Sequence, residues 1–92
     1  MTEKHVTVRN RAGIHARPAA QIVQLASKFI SKITMIKEAE RENINAKSVM
    51  GIITLGAGYN TTLLLRAEGP DEEKAVEAIA GLFERRFDFE EE

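Results

Sequence analysis

The chain has 92 residues, no cysteine, two histidines, and 13 basic against 14 acidic side chains, for a net charge of −1. That length suits one domain with a small core. Disulfides and cysteine metal sites are excluded, two histidines are too few for a histidine-rich metal site, and the balanced charge argues against a broad nucleic-acid footprint. No apolar run reaches membrane-spanning length and no signal-peptide pattern opens the chain. These features predict a soluble protein of the reducing cytoplasm.

In chain order, His5-Val6-Thr7-Val8-Arg9 alternates polar and apolar residues and predicts a strand. Asn10 to Gly13 form a turn. A helical pattern runs from Ala16 to about Lys28, with Ala19, Ile22, Val23 and Ala26 as its buried stripe. Ile33 and Met35 alternate with Thr34 and Ile36 in a second strand. A charged hairpin around Glu38 to Glu42 leads into a short strand at Asn43-Ile44-Asn45. Ser48 is placed to N-cap a short helix over roughly Val49 to Thr54, which Gly56 ends.

Thr61 to Glu68 reads as the fourth strand. Leu63, Leu65 and Ala67 lie on one face, and Thr62, Leu64, Arg66 and Glu68 on the other. Gly69-Pro70-Asp71 turns the chain into a last helix that reaches about Arg86 or Phe87, with Ala75, Ile79, Leu82 and Phe83 inward. Gly81 inside that helix is expected to allow close packing. Asp88, Glu90, Glu91 and Glu92 make an acidic tail, whereas Arg9, Arg11 and Arg17 gather around the His15 segment. Four strands with amphipathic helices on one side give a two-layer α+β domain.

The segment Gly13-Ile14-His15-Ala16-Arg17-Pro18-Ala19-Ala20 carries the chemistry. Pro18 suits a first helical turn, where its missing N–H is no loss. The N–H groups of that turn and the positive end of the helix dipole attract an anion. Arg17 adds a permanent charge and a planar fork of donors. Imidazole is partly neutral and nucleophilic near neutral pH. His15 beside such a site is therefore suited to carry a phosphoryl group, with the N–H groups of Ala16 and Arg17 and the Arg17 side chain receiving its oxygens.

The chain resembles the HPr phosphocarrier family of the bacterial sugar phosphotransferase system. Residues 13–19 match the family segment Gly-x-His-Ala-Arg-Pro-Ala. Lys47-Ser48-Val49-Met50-Gly51, followed by Leu55-Gly56, matches a second one. The resemblance runs from about residue 3 to residue 87 and implies an open-faced β-sandwich of four antiparallel strands covered by three helices. It implies that His15 Nδ1 accepts a phosphoryl group from phosphorylated enzyme I, ultimately from phosphoenolpyruvate, and passes it to IIA domains of sugar permeases. Such a protein is a carrier with a phosphohistidine intermediate rather than a stand-alone enzyme. It needs no cofactor, and a monomer is the simplest expectation for a diffusing carrier.

The resemblance also marks Ser48 as a target of HPr kinase/phosphorylase, and in some bacteria the Ser-phosphorylated form binds a catabolite-control transcription regulator. Val49, Met50, Ile52 and Ile53 exceed what the core side of a short helix needs, so part of this segment, Val49, Met50, Gly51 and Ile52 in particular, is expected to form a docking patch centred on Met50. The chain departs from the family in a slightly longer hairpin, where Ala39-Glu40-Arg41 replaces an Asn-Gly turn, and at Asn60, where glycine is usual. Asparagine is the next-best residue for a left-handed turn. Alternative readings are a regulatory module acting mainly through Ser48, a carrier of the nitrogen-related branch, and an unrelated domain with an anion site.

Overall fold

Alternation of apolar and polar residues builds four strands: β1 (Thr2–Thr7), β2 (Lys32–Lys37), β3 (Glu42–Asn45) and β4 (Thr62–Glu68). Three amphipathic helices lie between and after them: α1 (Ala16–Ala26), α2 (Val49–Leu55) and α3 (Glu72–Glu84). The structure, a computed structural model, describes residues 1–88. Glu90, Glu91 and Glu92 of the expected acidic tail lie outside the described residues.

The strands form one antiparallel sheet in the order β1-β4-β2-β3. Val6, Ile33, Met35, Leu63, Leu65 and Ala67 point from one face into the core. There they meet Ala19, Ile22 and Ala26 of α1, Ile52 and Leu55 of α2, and Ala75, Ile79 and Phe83 of α3. The period-two and period-3.6 patterns thus point at one another, as a two-layer fold requires. Val23 of the expected α1 stripe is only partly buried, at the edge of this core.

The other face of the sheet is open but not wholly polar. Register places His5 beside Leu64 and Leu64 beside Ile36. Leu64 and Ile36 are only 7% exposed, although alternation assigns them outward. The expected charged hairpin joins β2 to β3, and its turn is a 3-10 turn at Glu38–Glu40 that ends on Arg41 in the left-handed region. From that turn Glu38 Oε1 reaches back to His5 Nε2 at 2.8 Å, spanning β4 on the open face.

The ends of the chain deviate from the expected boundaries. β1 starts at Thr2, where its hydroxyl donates to Glu72 Oε2 at 2.6 Å and the amino terminus lies 2.8 Å from the same oxygen. These partners hold the Glu72 carboxyl down to about 2. Asp71 leads into α3, but its carboxylate serves the start of β2, accepting from the N–H groups of Ile30 and Ser31 and from the Ser31 hydroxyl. Those bonds, led by the Ser31 hydroxyl, lower the Asp71 carboxyl from its ordinary value.

α3 stops at Glu84, short of the expected Arg86. Arg86, Phe87 and Asp88 then adopt positive φ values of 52°, 57° and 59°. Left-handed backbone costs non-glycine residues about 1–2 kcal/mol each. Complete burial of Phe87, edge-on to Phe83 with ring centroids 5.0 Å apart, offsets that cost.

Gly81 does not mediate close packing. A Cβ there would meet only the flexible end of Arg85, at 3.1 Å from Nη1. Gly81→Ala is therefore expected to stabilise the protein by up to about 1 kcal/mol through helix propensity. Chemical denaturation would register this as a higher midpoint at an unchanged m-value.

Candidate functional site

His15 is the N-cap of α1, with φ −105° and ψ −161°, and its side chain is exposed. The helix ladder begins with the Ala19 N–H donating to the His15 carbonyl at 3.0 Å. Pro18 has no N–H, so the two N–H groups of the first turn that fall outside the ladder belong to Ala16 and Arg17. No acidic side chain occupies that turn. Ala16 and Arg17 are exposed beside His15, and Pro18 and Ala19 are buried beneath them. The expected group of His15, Ala16 and Arg17 is thus brought together on one helix start, where the dipole favours negative charge.

The loop before His15 is tightly held. Gly13 has φ +75°, and a Cβ on it would meet the Ala57 carbonyl oxygen at 2.9 Å and Gly58 Cα at 3.0 Å. Glycine is required there both for its backbone conformation and for close approach. The Ile14 N–H donates to the Ala57 carbonyl at 2.9 Å, and Ile14 is buried. The Val8 N–H donates to Thr61, and the Asn60 N–H to Val8, at 2.9 and 2.8 Å. Asn60 sits at φ 70°, so asparagine keeps the left-handed turn usually made by glycine. In the sequence Asn10 reads only as a turn residue. It is fully buried, and its Nδ2 donates to the Gly13 carbonyl at 2.6 Å. The available signal was an asparagine three residues before a turn glycine.

Ser48 N-caps α2 as expected, its Oγ accepting from the Gly51 N–H at 3.1 Å. Lys47, next to it, sends Nζ to the Phe29 carbonyl at 2.8 Å. Gly56 closes α2 in the left-handed region, and the chain continues directly into Ala57, which holds the Ile14 N–H.

The docking expectation needs correction. Ile52 is fully buried and belongs to the core, Val49 is partly buried against it, and Gly51 is half-buried. The exposed apolar residues of α2 are Met50, at 70%, and Ile53, at 38%. They lie three apart and so on one side of the helix. Apolar spacing does not reveal this order in a helix of seven residues, which falls just short of two turns. Tyr59, in the following loop, is a further exposed large apolar residue, at 54%. The helix that carries Met50 and Ile53 runs from the Ser48 cap to Gly56, directly before the loop that grips the His15 segment.

Among the described residues no group of histidines and carboxylates could hold a metal ion, and no helix is long and apolar enough to cross a membrane. The arrangement is therefore an exposed imidazole at a cationic helix start, next to an apolar contact surface.

Residues 2–85 match the family model described as the PTS HPr component phosphorylation site. The phosphocarrier protein HPr of Treponema pallidum is 51% identical over 90 residues, covering 98% of this chain and all of that protein. A crystal structure of HPr from Thermoanaerobacter tengcongensis superposes with a TM-score of 0.92 at 45% identity, covering 99% of this chain and 100% of that one. A second structure from the same organism, described as an HPr dimer, has a TM-score of 0.71 at 46% identity and covers 95% of this chain and 98% of that one. Sequence, fold and the helix-start histidine agree: the chain belongs to the HPr phosphocarrier family of the bacterial phosphotransferase system.

Proposed function

We propose that His15 Nδ1 accepts a phosphoryl group from phosphorylated enzyme I and hands it to IIA domains of sugar permeases. The observation that carries this reading is an exposed histidine at the start of α1, with the N–H groups of Ala16 and Arg17 outside the helix ladder. Phosphoryl transfer needs positioning and charge stabilisation more than covalent machinery. The imidazole supplies the nucleophile. The helix start and Arg17 take up the negative charge, and the apolar side of α2 docks the partner. Incubation with phosphoenolpyruvate and enzyme I tests the reading. One acid-labile phosphate per chain supports it, and an unlabelled, folded chain refutes it.

Arg17 is exposed in the first turn and contributes nothing to the core. Arg17→Ala is expected to slow transfer about 100-fold, at the low end for loss of one charge-stabilising donor, while the melting temperature stays within a few degrees. An unchanged single-turnover rate in the folded variant would remove Arg17 from the mechanism.

Regulation is proposed at Ser48, as a substrate of HPr kinase/phosphorylase. Its side chain is half-buried in the capping bond to Gly51, at the start of the helix that exposes Met50. A phosphate there puts about two negative charges on the edge of the docking surface. Phospho-Ser48 is expected to weaken transfer from enzyme I by at least tenfold, or about 1.4 kcal/mol, through repulsion and desolvation at that surface. Equal transfer rates for both forms would contradict it. Binding of a catabolite-control regulator by the phosphorylated form belongs to the same reading.

The intact His15 favours the carrier over a purely Ser48-centred regulatory module. The site is read as cytoplasmic, where its phosphoryl donor would be. The chain is read as a monomer because its sheet edges discourage pairing: β3 has only four residues, and β1 carries Glu3 and Lys4.

A further inference from the structure

We infer that Asn10 is a positioning residue for His15, its buried amide setting the peptide plane from which the histidine is presented. The inference rests on the reading of His15 as the phosphoacceptor.

Among the described residues only two polar side chains, Asn10 and Ser31, are buried to within 1% of full enclosure. Ser31 is satisfied by Asp71. Asn10 is not, since its Oδ1 has no hydrogen-bond partner. A buried acceptor without a donor is a standing desolvation cost, which an apolar side chain of similar size would avoid. The same replacement would leave the buried Gly13 carbonyl without its donor, so whatever the amide contributes here it contributes through that single bond.

What the amide does is local. Nδ2 donates to the Gly13 carbonyl at 2.6 Å, and the Asn10 carbonyl accepts the Gly13 N–H at 3.0 Å. The flipped amide would set two oxygens against each other, so only this orientation works. The Gly13 carbonyl and the Ile14 N–H belong to one peptide unit, and the latter donates to Ala57 at 2.9 Å. That plane is thus pinned at both ends, by Asn10 on one side and the loop after α2 on the other. Gly13 supplies the left-handed conformation, but glycine by itself restrains nothing. Without Nδ2, the peptide two bonds upstream of His15 keeps one tether of two. Transfer chemistry that depends on placement is sensitive to a displacement of about 1 Å.

The test uses Asn10→Leu, near in size and without a donor, and Asn10→Asp, which keeps the shape but also lacks the donor. Asn10→Ala serves if leucine fails to fold. Backbone 15N relaxation at Gly13, Ile14 and His15 is read together with single-turnover transfer from phosphorylated enzyme I. The expected result is greater amide mobility at these three residues and a transfer rate about tenfold lower. Half-saturation by enzyme I stays unchanged, because the docking surface on α2 is untouched. The melting temperature of Asn10→Leu stays within a few degrees of the parent, because loss of the unpaired Oδ1 offsets loss of the donor to the Gly13 carbonyl. Parent-like mobility and rate in a folded variant would overturn the inference, as would a loss confined to half-saturation. Raised mobility with no phosphate on either chain would sink the phosphoacceptor reading and leave the positioning of His15 standing.

Discussion

Alanine at position 15 is expected to abolish acid-labile phosphorylation while leaving the fold intact. Imidazole is the only nucleophile at the start of α1: the residues that follow are Ala16, Arg17, Pro18 and Ala19, and guanidinium is never deprotonated at working pH. The second histidine, His5, lies on the open face of the sheet and bonds to Glu38. It belongs to β1, and its neighbour there is a carboxylate instead of a helix start. Removal of His15 therefore removes the phosphate altogether instead of slowing its transfer.

The structural cost is small for an equally specific reason. His15 is exposed, and its contribution to the helix is a backbone one, the carbonyl that accepts from Ala19. Alanine retains that carbonyl. Even loss of a good N-cap side chain costs only about 0.5–2 kcal/mol, and histidine is not among the strong caps. Intact mass after incubation with phosphoenolpyruvate and enzyme I, with circular dichroism as the fold control, decides the matter. Acid-labile phosphate on His15→Ala would move the acceptor elsewhere.

Much of this site is legible in the sequence because it is local. Pro18 in a first turn, Ser48 ahead of an apolar run and Gly56 after it each report on their own few residues, and each lies where pattern reasoning puts it. The stripes of α1 and α3 and the inward face of β4 are readable for the same reason. What could not be read depends on partners far along the chain. Leu64 and Ile36 alternate outward, yet a turn two residues past Ile36 folds back toward His5 on their face. α3 ends early because Phe87 enters the core only through a left-handed turn. Ile52 and Met50 are both apolar and adjacent to Gly51, and only the packing of α2 on α1 and β3 separates core from surface. Asn10 reads as an ordinary turn residue until the loop closes over it.

Valine at position 13 is expected to damage both stability and transfer, and to do so through a contact with residues 57 and 58. At φ +75° a branched residue is strained by about 1–3 kcal/mol. Its Cβ would also sit 2.9 Å from the Ala57 carbonyl oxygen and 3.0 Å from Gly58 Cα, both backbone atoms that cannot rotate away. Relief requires the two loops to part, which breaks the bond from the Ile14 N–H to Ala57. Strain and overpacking together give a loss of about 3 kcal/mol, or about 12 °C or more in melting temperature for a chain of this size. The parting also shifts His15, two residues away, relative to the start of α1, and transfer should fall about 100-fold even well below the transition. Gly58→Ala is the control on the opposite loop, because a Cβ there meets nothing within 4 Å. Calorimetry and single-turnover transfer at low temperature should separate the pair, with Gly58→Ala close to the parent in both. A Gly13→Val chain that melted with the parent would show that the 57–58 loop is not what holds the histidine in place.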